Sequence, residues 1–234
     1  MASIFVVTPT YNERNNLEIL SKKIFDLKIP ELKLIIVDDN SPDGTGKFAE
    51  ELAKTYPVKV IHREKKMGLG TAYAQAFKEL ITKEKSDYII QIDTDLSHDP
   101  VIIPQMLLKI RECDLVLGSR YVPGGKIKNW NFFRRMISRW GNIYARFILG
   151  LPYKDLTGGF KCFRREVLEN INLDSLSSVG YNFQIETTYA AHKKGYKICE
   201  IPITFTERQG GASKFNFGII FESFWKVFLL RFKK

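Results

Sequence analysis

Leu34-Ile35-Ile36-Val37, followed at once by Asp38-Asp39-Asn40-Ser41-Pro42-Asp43-Gly44, decides the fold of this chain. A continuous apolar, β-branched run of this length suits a strand buried on both faces, as in a parallel sheet covered by helices. Outward from it, Ile4 to Val7, Val58 to Ile61, Tyr88 to Ile92 and Leu115 to Leu117 are further strand candidates. Helical patterns lie between them, over Leu17 to Phe25, Thr45 to Tyr56, Thr71 to Lys83 and Pro100 to Arg111. Strand and helix alternating in this way predict an α/β fold: a doubly wound, mostly parallel sheet flanked by helices.

The 234 residues suffice for one large domain with a substantial core. A hydrophobic share of 44% and a charged share of 26% exclude a mostly disordered chain and a polytopic membrane protein. No internal repeat or low-complexity linker divides it. It reads as one domain over 1–234, in two halves that divide at about 125. The formal charge of +10 fits an anionic partner such as a nucleotide, a lipid phosphate, an acidic membrane face or nucleic acid, and equally a solubility surplus of lysine. No nucleic-acid recognition motif accompanies it. Cys113, Cys162 and Cys199 lie far apart without zinc or redox spacing, and no signal peptide opens the chain. Reduced thiols and a cytosolic location are expected.

Open α/β sheets bind ligands beyond the carboxyl ends of their strands. There the chain reads Thr8-Pro9-Thr10-Tyr11-Asn12-Glu13, then Asp38 to Gly44, then Asp93-Thr94-Asp95-Leu96-Ser97-His98, then Gly118-Ser119-Arg120-Tyr121. Asp93 and Asp95, one residue apart, can both face a divalent cation if the chain turns there. Mg²⁺ and Mn²⁺ take one or two carboxylates together with substrate phosphates. A lone D-x-D is equally a solvated turn, so the weight lies on the set of acidic strand ends. A dinucleotide fold is excluded, because the turn after the first strand has no glycine and Gly68-Leu69-Gly70 follows the third strand.

Together with Gly68-Leu69-Gly70, Asp155-Leu156-Thr157-Gly158-Gly159-Phe160 and Gly211-Ala212-Ser213-Lys214, these stretches resemble inverting family 2 glycosyltransferases of the GT-A fold. The resemblance is closer to the dolichyl-phosphate or polyprenyl-phosphate mannosyltransferases, and it implies GDP-mannose as donor and a polyprenyl phosphate as acceptor. It places Pro9, Tyr11, Glu13, Val37 and Asp39 around the nucleoside, with Asp39 suited to a base or ribose. Asp93 and Asp95 match the pair that holds Mg²⁺ or Mn²⁺, and Thr94 lies beside the donor. Arg120, Arg208 and Lys214 match cations that meet phosphates, with Asp95 and Arg120 as the catalytic residues. Some relatives carry glutamine at the position of Ser97. His98 reads as structural, since carboxylates already suit a hard cation. UDP-glucose as donor is the nearest alternative. A non-catalytic nucleotide-sugar or lipid-binding subunit is a different one.

Many family 2 enzymes carry an acidic pair that supplies a general base. The corresponding stretch here, Tyr181 to Glu186, has Gln184 and a lone Glu186. A phosphate monoester acceptor explains this, because its second pKa of about 6 leaves it largely dianionic at neutral pH. Arg134 and Ser138 match positions that hold the acceptor phosphate. They lie in a helix predicted over Trp130 to Leu149, which places Arg135, Arg139, Asn142 and Arg146 on one face. Phe133, Met136, Ile137, Trp140, Tyr144 and Phe147 lie opposite. Such a helix either lies in a membrane interface or packs its apolar face on the core. Phe215 to Phe232 is apolar but interrupted by Glu222, Lys226 and Arg231, so it predicts a peripheral membrane helix at the cytosolic face.

Overall fold

The computed structural model describes residues 2–176, 181–207 and 217–232. Strand β1 (Ile4–Thr10) leads into helix α1 (Arg14–Phe25), whose Leu17, Leu20 and Ile24 recur at helical spacing and are buried against the sheet. Then come β2 (Leu32–Asp38), α2 (Thr45–Ala53), β3 (Val58–His62), α3 (Leu69–Lys83) and β4 (Tyr88–Gln91). The predicted helix to Tyr56 stops at Ala53, ahead of Pro57, whose ring disfavours helical backbone in the residue before it. A 3₁₀ turn over Pro100–Ile102 precedes α4 (Ile103–Lys109), so the predicted Pro100 to Arg111 helix is broken in its first turn. Pro104, with no backbone N–H to give, sits at that break. Next are β5 (Leu115–Ser119), β6 (Lys126–Lys128), α5 (Phe132–Leu149), β7 (Lys161–Arg164) and α6 (Arg165–Asn170). A second 3₁₀ turn, α7 (Tyr181–Lys193), β8 (Ile198–Pro202), β9 (Thr204–Thr206) and α8 (Phe217–Phe232) complete the described chain.

The main sheet has the order β3-β2-β1-β4-β7-β5-β8. Its pairs are parallel except those of β7, which runs antiparallel to both β4 and β5. Leu34, Ile36 and Val37 of β2 are wholly buried, as their unbroken apolar run requires. Each such side chain contributes roughly 1.5–3 kcal/mol by leaving water.

The antiparallel β7 was not apparent from the sequence, because Lys161 interrupts its apolar pattern. The ammonium is buried and donates to the Gln184 carbonyl (2.5 Å) and to the Thr187 and Thr188 hydroxyls (2.9 and 3.0 Å), so all three protons are used. Burial holds the Lys161 pKa down to about 7, against the pull of Asp155 and Asp93. Because β7 is reversed, its first residue pairs with Gln91, and the Gly158-Gly159 turn arrives at the carboxyl end of β4. A short parallel ribbon of β6 and β9 stands beside this rim.

Candidate active site

The ends of β1 and β2 are stitched together by polar contacts. Asp39 N–H donates to the Thr10 carbonyl (3.0 Å), and the Thr10 hydroxyl to Asp38 (3.1 Å). Asp38 also accepts from the Ser41 hydroxyl (2.5 Å), and Glu13 N–H donates to Thr45 Oγ1 (3.0 Å). Pro9 and Val37 are buried beneath this rim and support it by packing. Tyr11 and Glu13 stand partly exposed on it, and Lys66 lies over the Tyr11 ring, 3.5 Å from its centre.

Asp93-Thr94-Asp95 follows β4. The Thr94 hydroxyl bonds the Pro9 carbonyl (2.7 Å) and Thr8 Oγ1 (2.6 Å), which fixes the triplet to β1. Asp95 Oδ1 accepts from Ser97 N–H (3.1 Å), and Leu96 turns the chain at φ +59°. That conformation is rare for a bulky residue and marks local strain at the turn. The Tyr73 hydroxyl, from inside α3, donates to Asp93 Oδ1 (2.8 Å). Gly159 closes the other side, where a Cβ would stand 2.6 Å from Asp93 Oδ2. Burial, and next the charge of Asp95, push the Asp93 carboxyl up to about 7, with Glu13 adding to the rise. Burial and Asp93 raise Tyr73 well above its ordinary value, which keeps it a hydroxyl donor.

The donor set fits a divalent cation. No group of three or more His, Cys, Asp or Glu suited to a metal occurs among the described residues. A pair of carboxylates is nevertheless what Mg²⁺ or Mn²⁺ uses when phosphates complete its shell. The rise in the Asp93 pKa comes first from burial and next from the charges of Asp95 and Glu13, and a bound cation would offset both. His98 is packed among aromatic rings. Its ring lies 5.4 Å from Phe160 and 5.1 Å from Phe205, and burial lowers its pKa to about 4, leaving it neutral.

Tyr73→Phe removes one hydroxyl and nothing else from this cluster. The Mn²⁺ concentration giving half-maximal activity should rise roughly 10–100-fold, as expected when a residue orienting a metal ligand is lost. An unchanged Mn²⁺ requirement would remove Tyr73 from that task.

Arg120 is buried, not a surface charge. Its Nε and Nη2 donate to the two oxygens of Asp155 at 2.7 Å each, its backbone N–H to Oδ2 at 2.9 Å, and Nη2 to Thr157 at 2.7 Å. Burial alone would raise the Asp155 pKa, but Arg120 outweighs it and holds the carboxyl below its usual range. Thr157 also accepts from Asn142 of α5 (3.1 Å), whose Oδ1 takes the Leu156 N–H (2.7 Å). One network therefore joins the rim to α5. Around Arg120 stand the rings of Tyr121, Trp130 and Phe205, 5.3–5.6 Å from the guanidinium carbon.

The predicted faces of α5 need correction. Ser138, Asn142, Ala145 and Leu149 face the protein, so Asn142 is buried at the inner edge of the arginine face. The Tyr121 hydroxyl donates to Ser138 (2.8 Å), while Arg134 lies over Trp130 (4.5 Å) and pairs with Glu207. Phe132, Phe133, Met136, Trp140, Ile143 and Phe147 point outward. Most of the apolar stripe is exposed, and Tyr144 at its edge packs against the core. Gln184 is a core residue, its side chain taking the Gln91 amide (2.6 Å), and Glu186 is buried beside it on α7. Arg208 and Lys214 lie outside the described residues, and so does the Glu222 side chain.

Residues 5–171 match the model of glycosyl transferase family 2. The chain belongs to that family. This family 2 chain is 43% identical to the polyprenol monophosphomannose synthase of Mycolicibacterium smegmatis, over 95% of its own length and 84% of the relative's. It is 42% identical to the undecaprenyl-phosphate mannosyltransferase of Micrococcus luteus, over 94% and 90%. Its fold is shared by glucosyl-3-phosphoglycerate synthase from Mycobacterium tuberculosis in complex with Mn²⁺, UDP and glucosyl-3-phosphoglycerate (TM-score 0.69, 18% identity, 98% of this chain and 78% of that one). The mannosyltransferase PcManGT from Pyrobaculum calidifontis, in complex with GDP-Man and Mn²⁺, has it too (TM-score 0.63, 19%, 90% and 58%).

Proposed function

We propose that the chain transfers mannose from GDP-mannose to a polyprenyl or dolichyl phosphate, with inversion at the anomeric carbon. The observation that carries this reading is the likeness, over nearly its whole length, to two enzymes named for making mannosyl polyprenyl phosphates. The rim fits the donor. Tyr11, Glu13 and Asp39 face the nucleoside, and Pro9 and Val37 support them. Asp93, Thr94 and Asp95 lie where the diphosphate would, with Arg208 and Lys214 contributing from outside the described residues.

A Mg²⁺ or Mn²⁺ ion held by Asp93 and Asp95 would supply positive charge for the departing diphosphate. The chain's own part is to position two anions. Arg120, pinned by Asp155, presents a guanidinium of fixed orientation that needs no rearrangement during transfer. On the acceptor side, Arg134 and Ser138 on the inward face of α5 would hold the lipid phosphate. A phosphate oxygen bonds to the anomeric carbon as its bond to the GDP oxygen breaks. No proton has to be removed from a dianionic phosphate, so the core placement of Gln184 costs the reaction nothing.

The outward apolar stripe of α5 suits a lipid acceptor, with Trp140 62% and Phe147 84% exposed. On α8, which meets α5 where the tilted rings of Tyr144 and Phe224 lie 4.4 Å apart, Trp225, Leu229 and Phe232 are exposed as well. No described helix is long and apolar enough to cross a membrane. We place the enzyme on a cytosolic membrane face, bound by these helices as a peripheral protein. Serine at Phe133, Trp140 and Phe147 together should reduce co-sedimentation with phosphatidylglycerol vesicles at least 10-fold, leaving the melting temperature within a few degrees. Undiminished vesicle binding would rule out this surface.

Donor choice tests the reaction itself. With equimolar GDP-mannose and UDP-glucose and a vesicle-borne polyprenyl phosphate, the lipid product should carry mannose. A glucosyl lipid would replace the donor in this reading.

A further inference from the structure

The loop after β3 takes no part in the reading above, yet its first residue is bound to the base-side carboxylate. Arg63 is a charged side chain with only 1% exposure, opposite an Asp39 side chain with 7%. Its Nη1 donates to Asp39 Oδ1 at 2.5 Å and its Nη2 to Thr71 Oγ1 at 2.8 Å. Its backbone N–H bonds the Asp38 carbonyl (2.9 Å), so both ends of the residue are tied to the β2 rim. The Nε–H is buried with no acceptor among the described residues. Burying a guanidinium so incompletely satisfied is costly, and replacing such a pair with apolar residues is often neutral for stability. Fold stability alone is therefore a poor reason for it to be here.

The arrangement aligns Asp39. One oxygen is committed to Arg63, while Oδ2 receives only long contacts from Met67 N–H (3.4 Å) and Gly68 N–H (3.3 Å). Four lone-pair sites on a carboxylate leave acceptor capacity toward the rim. Gly68, at φ +99°, takes backbone that a side chain would strain, and it lets the loop fold back on Asp39 and start α3. The same loop carries Lys66 over Tyr11, so the ends of β1, β2 and β3 converge on one place.

We propose that Arg63 is a positioning residue that holds Asp39 in the orientation needed to receive the N–H edge of the donor's guanine. The inference rests on the donor-side placement of Asp39 in the function proposed above. Guanine offers two adjacent donors, the ring N1–H and the 2-amino group, and only a carboxylate held in register accepts both. Hypoxanthine offers N1–H alone, so GDP and inosine diphosphate report the second contact directly.

The test measures binding of GDP and of inosine diphosphate by calorimetry in Mn²⁺, with steady-state kinetics, for wild type, Arg63→Lys, Arg63→Gln and Thr71→Val. Wild type is expected to prefer GDP by roughly 10-fold or more, the size of one hydrogen bond to a charged acceptor. In Arg63→Gln that preference should shrink to about 2-fold, with the GDP-mannose KM raised roughly 10-fold and kcat and the lipid phosphate KM nearly unchanged. Arg63→Lys keeps the charge and should fall between. Thr71→Val leaves the ion pair but frees Nη2 and removes the hydroxyl's bonds to the Met67 and Gly68 carbonyls (3.1 and 2.8 Å), and it should show a smaller shift in the same direction. If Arg63→Gln does not fold, Arg63→Lys and Thr71→Val carry the test. An unchanged GDP preference in these variants overturns the proposal, as does a uniform loss of kcat and both KM values with a lowered melting temperature. Wild type that binds no guanine nucleotide would instead defeat the donor assignment itself.

Discussion

Asp95→Asn should lower kcat by roughly two to three orders of magnitude, the scale on which removing one charge-stabilising group from a transition state acts. The fold should survive. Asp95 is only partly buried, and its contact within the turn is the acceptance of Ser97 N–H, which the asparagine oxygen can reproduce. The substitution thus removes a formal charge and little else from the strained Leu96 turn. Mn²⁺ titration of activity, beside a thermal melt, separates the two effects. A variant with wild-type kcat and wild-type Mn²⁺ dependence would take Asp95 out of the metal role, whatever becomes of the rest of the site.

Asp155→Ala should have the largest effect on stability. It leaves the Arg120 guanidinium buried without its bidentate partner, and stranding one member of a buried pair costs about 3–5 kcal/mol. Loss of the network through Thr157 and Asn142 should loosen α5 too. The pH dependence has a definite sign. The Asp155 pKa is lowered by folding, so its contribution is fully present above the ordinary carboxylate value of about 4 and is lost as pH falls through the folded value. Denaturant midpoints of wild type and variant should therefore lie far apart at pH 7 and converge in acid. A gap that stays constant down to pH 2 would mean that the pair is not what stabilises this part of the fold.

Much of this was legible in the sequence, for identifiable reasons. Runs such as Leu34 to Val37 have one stable environment, a sheet covered on both sides, and strands of such a sheet end where ligands bind. The acidic turns after β1, β2 and β4 therefore announced the rim, and Thr94 anchors its triplet to β1 by contacts that are invisible in sequence but consistent with it.

What was hidden depends on distance along the chain or on side chains that look ordinary. Tyr73 sits among the apolar positions of α3 and reads as core. Only the fold brings its hydroxyl to Asp93, 20 residues away. Arg120 and Asp155 are 35 residues apart, so the cation was visible and its partner was not. The reversed β7 was hidden by a lysine whose charge is satisfied by residues of α7, and Arg63 by its place in a lysine-rich loop. On α5 the arginine pattern suggested a polar face containing Asn142. The true inward face is mixed: Asn142 meets Thr157 and Leu156, Ala145 and Leu149 pack in the core, and most of the aromatics turn outward.

The measurement closest to the central claim follows both products at once: labelled mannose in the lipid phase and GDP in the aqueous phase, with Mn²⁺ present. Mannosyl lipid and GDP should appear in equal amounts, only when polyprenyl phosphate is supplied, and both should cease with chelator. GDP released without label in the lipid, or equal release with no lipid phosphate present, would contradict the account.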